Sequence, residues 1–150
     1  MKLVIILLSL LALISCGRKT IEVPVVWSED LIEVVALATE RQLPILINFT
    51  GSDWCRWCIM LEEEVFSQPE FQAFARENLV LFKVDTPRSI EQSEELKEQN
   101  SLLRMWFEIQ GFPTILLVDD ELNEIARTGY RPGGAAEYVE HLQQLINDRE

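Results

Sequence analysis

The apolar positions of this chain fall into blocks whose spacing changes along its length. Leu3 to Ile14 is apolar throughout except for Ser9, and the block stops at Ser15-Cys16-Gly17. From residue 29 the spacing turns helical. Leu31, Val34, Val35 and Ala38 share one face, so 29–41 is expected to form an amphipathic helix, with Ser28 and the acids Glu29 and Asp30 at its start. Pro44 interrupts, and Ile45 to Phe49 reads as a short buried strand. A helical run from Cys55 to Phe66 follows. Ser67 then caps a further helical segment with Pro69 in its first turn and Phe71, Phe74 and Ala75 on one face. Leu79 to Asp85 is the next strand. Glu91 to Phe107 is helical, with Leu96, Leu103, Trp106 and Phe107 assigned to the core. After a turn at Gly111-Phe112-Pro113, Thr114–Val118 and Glu124–Thr128 read as two strands joined by a polar turn. Ala135 to Asn147 closes the chain as a helix with Tyr138, Leu142, Leu145 and Ile146 inward. The expected order is helix, strand, helix, strand, helix, strand, strand, helix.

At 150 residues and 48% apolar content, the chain has the size and composition of one folded domain that needs no disulfide staples. Its formal charge of −12 offers no basic footprint for nucleic acid and reads simply as solubility. The N-terminal block changes the picture more. It is shorter than the about 20 residues of a membrane span and has the length of a signal-peptide core. Leu13-Ile14-Ser15-Cys16 resembles the bacterial lipoprotein signal. That resemblance implies cleavage before Cys16, acylation of Cys16, and an envelope protein held on the membrane by lipid and facing the periplasm. Gly17 in place of Asp favours the outer membrane. The alternatives are an ordinary cleaved signal or an uncleaved anchor. The expected divisions are a signal peptide over 1–15, a lipid-anchored tether over 16–26 and a folded domain over 27–150.

Setting Cys16 aside leaves one pair, Cys55 and Cys58, spaced two residues apart where the Ile45–Phe49 strand hands over to a helix. That spacing lets both sulfurs meet within one helical turn, with the first at the helix N-terminus. Free N–H groups and the positive end of the dipole there stabilise a thiolate, the attacking species in disulfide exchange. Arg56 places a cation beside Cys55, which favours the thiolate and raises the reduction potential; the alternative is an Arg56 turned to solvent with little effect. A Cys-x-x-Cys can also be half of a zinc site. The further soft ligand in the sequence is His141, read as a surface residue of the last helix, so no metal is expected.

The strand, the Trp54-Cys55-x-x-Cys58 turn into a helix, the Gly-Phe-Pro-Thr turn at 111–114 and the strand hairpin after it resemble thioredoxin over about residues 28–148. The Gly-Ser-Asp-Trp-Cys opening and the Val-Phe-Ser-Gln-Pro-Glu-Phe stretch resemble the exported branch of that family. The resemblance implies an α/β thioredoxin-like fold, a central mixed β-sheet flanked by helices. It implies that Cys55 is the exposed attacking thiolate, Cys58 the buried resolving thiol, and Pro113 a cis proline beside them that frees the Phe112 backbone to pair with substrate. Trp54, Trp57 and Phe112 would form an apolar rim for substrate; Trp54 fits the core equally, and Trp57 is the better candidate for exposure. The chain departs from the family pattern at Asn48, where thioredoxin carries a buried Asp, at Arg56-Trp57, where it carries Gly-Pro, and at Ile59, where it carries a basic residue. Asp53, Glu62 and Glu63 are the acids placed to substitute as proton acceptor, while Glu62 to Glu64 read otherwise as a solvated face. The expectation is a monomeric thiol–disulfide oxidoreductase acting on protein disulfides or dithiols without a cofactor, recharged by a membrane electron donor when it works as a reductant. The other reading is a lipid-tethered binding module or holdase on the same scaffold.

Overall fold

The computed structural model describes residues 25–148. The expected signal peptide, the expected acylation site Cys16 and most of the expected tether lie outside the described residues. Five α-helices and four strands follow one another: α1 (Leu31–Arg41), β1 (Ile45–Thr50), α2 (Arg56–Leu61), α3 (Pro69–Asn78), β2 (Val80–Asp85), α4 (Glu94–Trp106), β3 (Thr114–Val118), β4 (Glu124–Thr128) and α5 (Gly134–Asn147). A π-helical turn, Glu62–Phe66, carries α2 toward α3. The strands form one mixed sheet in the order β2-β1-β3-β4, with β1 parallel to β2 and antiparallel to β3, and β3 antiparallel to β4.

Strand alternation sends β1 to two different cores. Ile45, Ile47 and Phe49 join Val34 and Ala38 of α1 and Leu103 of α4 on one side of the sheet. Leu46 joins Leu61, Phe66, Phe71, Tyr138 and Leu142 on the other. Every β1 side chain is buried, which is why the strand reads as a continuous apolar run rather than an alternating one. Asn48 and Thr50 share the Leu46 face and so lie under α2. Chain entry is tied down as well. The Val25 N–H donates to Gln72 Oε1 at 2.7 Å, and Trp27 packs on Phe66 and Phe71 with ring centroids 5.0 and 6.5 Å apart. Ser28 then bridges to β2, donating its N–H to the Leu81 carbonyl.

Capping shifts several expected boundaries. Asp30, not Ser28, caps α1 by accepting the N–H groups of Ile32 and Glu33. Ser67 does not cap α3; its hydroxyl donates to Glu62, and α3 starts at Pro69. Ser93 caps α4, so Glu91 and Gln92 remain in the loop. A larger correction concerns Trp106. It is 75% exposed, in line on α4 with exposed Leu102 and Met105, whereas Phe107 is 5% exposed and packs on Phe49. The helix ends between them, and the change of direction at the Phe107 cap turns only the second ring inward. His141 is half-buried rather than a free surface residue. Its Nε2 lies 3.0 Å from Thr128 Oγ1, and burial lowers its pKa.

These two adjacent aromatic residues separate in a stability measurement. Phe107→Ala should cost about 3–5 kcal/mol, the price of emptying a buried aromatic site. Trp106→Ala should stay within about 0.5 kcal/mol of the parent in urea unfolding.

Candidate active site

The site grows from the carboxyl ends of β1 and β2. Asp85, buried at the end of β2, accepts the Ser52 N–H at 3.0 Å and the Ser52 hydroxyl at 2.5 Å. Asn100 of α4 is also buried and donates to the Asp85 carbonyl at 2.9 Å. The loop after β1 is therefore anchored before it reaches the cysteines. Gly51 allows the next step. A Cβ there would stand 2.5 Å from the Trp54 ring, so only glycine lets the indole lie across the loop. Trp54 Nε1 donates to the Thr86 carbonyl and fixes the ring.

Cys55 is the residue that caps α2. Its backbone is extended, its carbonyl accepts the N–H groups of Cys58 and Ile59, and its sulfur accepts the Cys58 N–H at 3.3 Å. A charge on this sulfur would be met by that donor and by the helix end. The two sulfurs are joined as a disulfide. Cys55 is only 7% exposed and Cys58 5%, so in this oxidised state Cys55 is not the open residue that the family resemblance implied. What is open is the rim. Trp57 is 50% exposed, and Trp54, at 36%, belongs to the rim rather than the core. Phe112 stands edge-on to Trp54 with centroids 5.9 Å apart, and the Phe112–Pro113 bond is cis. Trp57 leans on Tyr130 at 5.2 Å, and the Tyr130 hydroxyl donates to Glu64, which is half-buried rather than part of a fully solvated face.

The two sulfurs face different surroundings. A groove of about 280 Å³ on the Cys55 side is lined by Trp54, Arg104, Ile109, Gln110, Gly111 and Phe112. A cavity of about 310 Å³ on the Cys58 side is lined by Asn48, Thr50, Lys83, Glu62 and Glu63 among others. Asn48 is buried, and its Oδ1 accepts no hydrogen bond from the described residues. Of the three acids considered as proton acceptors, Glu62 and Glu63 line this cavity. Asp53 is turned away and accepts the backbone N–H groups of Arg88 and Ser89, chiefly Arg88, which hold its carboxyl below the ordinary range. Three arginines attend the aromatic rim: Arg88 stacks on Trp54 at 3.9 Å, Arg104 on Phe112 at 5.2 Å and Arg56 on Trp57 at 5.8 Å. Sequence reasoning singled out Arg56 alone. Arg88 and Arg104 lie far along the chain in a loop and a helix that read as ordinary polar segments. Among the described residues no group of three or more His, Cys, Asp or Glu could hold a metal ion.

A disulfide-linked Cys-x-x-Cys pair whose first residue caps a helix, with a cis proline ahead of β3 in a mixed sheet, defines a thiol–disulfide oxidoreductase of thioredoxin fold. The chain belongs to the thioredoxin-like domain family, which matches residues 32–146. Over 121 residues it is 35% identical to the disulfide bond reductase DsbH of Chlamydia pneumoniae, covering 81% of this chain and 73% of that protein. A solved structure of a DsbH oxidoreductase matches with a TM-score of 0.80 at 33% identity, covering 83% of this chain and 86% of that one. The thiol:disulfide interchange protein DsbD of Vibrio vulnificus is 30% identical over 122 residues, which span 79% of this chain but 19% of DsbD.

The Asp53 tie sets a titration that can be read directly. The Arg88 and Ser89 amide shifts should follow the Asp53 carboxyl with a midpoint below the ordinary 3.8. Its folded pKa is depressed, so the loop is held above that ordinary value and released as pH falls through the depressed one. An NMR titration from pH 6 to pH 2 measures both.

Proposed function

We propose that this protein is a reductant of protein disulfides in the bacterial envelope, anchored by lipid on Cys16 and working as a monomer through the Cys55-Arg56-Trp57-Cys58 pair. The observation that carries this reading is the unequal setting of the two sulfurs: Cys55 caps α2 beside an aromatic groove, and Cys58 lies over a polar cavity lined by Asn48, Lys83, Glu62 and Glu63. The reductase named among the relatives supports the direction.

The Cys55 thiolate attacks one sulfur of a substrate disulfide. The substrate S–S bond breaks, its far sulfur leaves as a thiolate and takes up a proton, and Cys55 is left in a mixed disulfide. Trp54, Phe112 and Trp57 hold the chain that carries the attacked sulfur, and Pro113 leaves the Phe112 backbone beside it. Cys58 gives up its proton and attacks Cys55, which releases the second substrate thiolate. Asn48 cannot take that proton. Glu62 and Glu63 line the same cavity as Cys58, and we assign them to receive the proton. The substrate gains two electrons and two protons, and the enzyme is left as the Cys55–Cys58 disulfide seen here. A dithiol donor at the membrane restores the reduced pair by the same exchange in reverse. Arg56 stabilises the thiolate of the reduced form and so raises the potential.

Cys55→Ser should abolish insulin reduction, and Cys58→Ser should accumulate a mixed disulfide visible by mass spectrometry. Retention of substrate capture with no redox change in either variant would instead identify a binding module. In glutathione buffers the pair should equilibrate above the about −270 mV of thioredoxin. Arg56→Gln should move it about 10 mV toward more reducing values, the shift expected for the loss of one exposed charge contact.

A further inference from the structure

The chain carries 25 acids against 13 Lys and Arg, yet three arginines lie on the aromatic rings of its redox site. Trp54 and Phe112 stand edge to face beside Cys55, and a guanidinium covers the outer face of each. The four groups form a continuous row, Arg88, Trp54, Phe112, Arg104. Arg56 continues the charge on the other side of the disulfide, over Trp57. None of these three guanidiniums has a carboxylate partner among the described residues, whereas Lys83, Lys97 and Arg127 are each paired. Arg104 Nε is buried and donates to no acceptor there. Acids also stand near the site without pairing these guanidiniums: Glu64 accepts the Tyr130 hydroxyl beside Trp57, and Glu108 lines a hollow with Arg104. Asp53 is bound to the Arg88 and Ser89 N–H groups, and Glu62 and Glu63 line the cavity on the Cys58 side.

We propose that the Cys55 groove selects substrates whose disulfide is flanked by acidic residues, with Arg88 and Arg104 receiving the carboxylates on either side of the attacked cysteine and Arg56 adding to their field. This rests on the oxidoreductase reading and names the substrate class of the same site. A guanidinium laid on an aromatic face keeps its N–H edge free and has lost little freedom still to lose when a carboxylate binds. An extended segment seated along Trp54 and Phe112 brings its flanking side chains to those edges. The overall negative charge opposes such a substrate at long range. At 0.1 M salt the Debye length is about 10 Å, so charges elsewhere on the protein are largely screened while the groove arginines act in contact. Raising the salt to 1 M, with a Debye length of about 3 Å, should weaken the contact term as well.

The test measures kcat/KM of the full chain, reduced beforehand, on three disulfide-linked peptides identical except for Glu, Ser or Lys beside the cysteines. The expected order is Glu over Ser over Lys, with about a tenfold span at 0.1 M salt that narrows in 1 M salt. The Arg88→Gln, Arg104→Gln double variant should bring the three rates together and keep the Ser peptide as a substrate. Equal rates on all three peptides for the unaltered protein, or a Glu preference that survives both salt and the double variant, would overturn the inference. The Ser peptide keeps the two readings apart: its turnover establishes the oxidoreductase, and the ratio of the charged peptides decides the selectivity. No turnover of the Ser peptide overturns both.

Discussion

The redox site depends on a polar tie at the ends of the two parallel strands. Asp85 holds Ser52 through two hydrogen bonds, and Asn100 holds the Asp85 carbonyl. Asp85 thus joins three segments: its carboxylate ties β2 to the loop that leads to Cys55, and its backbone carbonyl ties β2 to α4. A buried acceptor deprived of its donors costs about 1–3 kcal/mol, more when charged, so the loop has one favoured position. Trp54, Cys55 and the start of α2 inherit that position. The Thr86 N–H donates to the Thr50 carbonyl, which brings the Arg88 loop beside the same end of the sheet.

That placement makes the two sulfurs chemically different although only two residues lie between the cysteines. Cys55 receives the Cys58 N–H and faces a groove walled by aromatic rings. Cys58 faces a separate polar cavity over Asn48 in β1 and Lys83 in β2, which are partners in the strand register. Thiol exchange needs this asymmetry. The first sulfur must be reachable and easily ionised, and the second must stay protected until a mixed disulfide exists. Asn48 stands where the family resemblance implies a titratable group, and the acids that line this cavity, Glu62 and Glu63, sit in the π-helical turn. The turn itself matters here, because it is the segment that carries Glu62 and Glu63 beside the cavity while Val65 and Phe66 enter the core.

The aromatic rim combines two tasks. Its rings cover the disulfide, and their faces support guanidiniums. Each stacked pair at an exposed site is worth about 0.5–1 kcal/mol, enough to bias side-chain position without immobilising it. Charge is thereby concentrated where the overall composition would not suggest it. Net charge describes a protein's solubility and its long-range field, and it says little about the few ångströms around a reacting sulfur.

Much of this was legible in the chain itself. Local periodicity marked both internal strands and the closing helix, and the Trp-Cys-x-x-Cys turn between a strand and a helix marked the redox pair, because that chemistry requires two sulfurs within one turn. Phe112 and Pro113 were legible through family resemblance. Boundaries moved where a particular side chain, Asp30 or Ser93, won the capping position. What the sequence alone did not decide was orientation. Trp106 and Phe107 are equally apolar neighbours, and only the end of α4 determines that one faces water and the other Phe49. Arg88 and Arg104 carry no local signal, since their positions on Trp54 and Phe112 come from a sheet that brings distant segments together. Local spacing determines which residues form an element and which chemistry they hold. Which face each element turns inward, and which distant charges meet at the aromatic rim, follows from packing and hydrogen bonds between segments far apart in the chain.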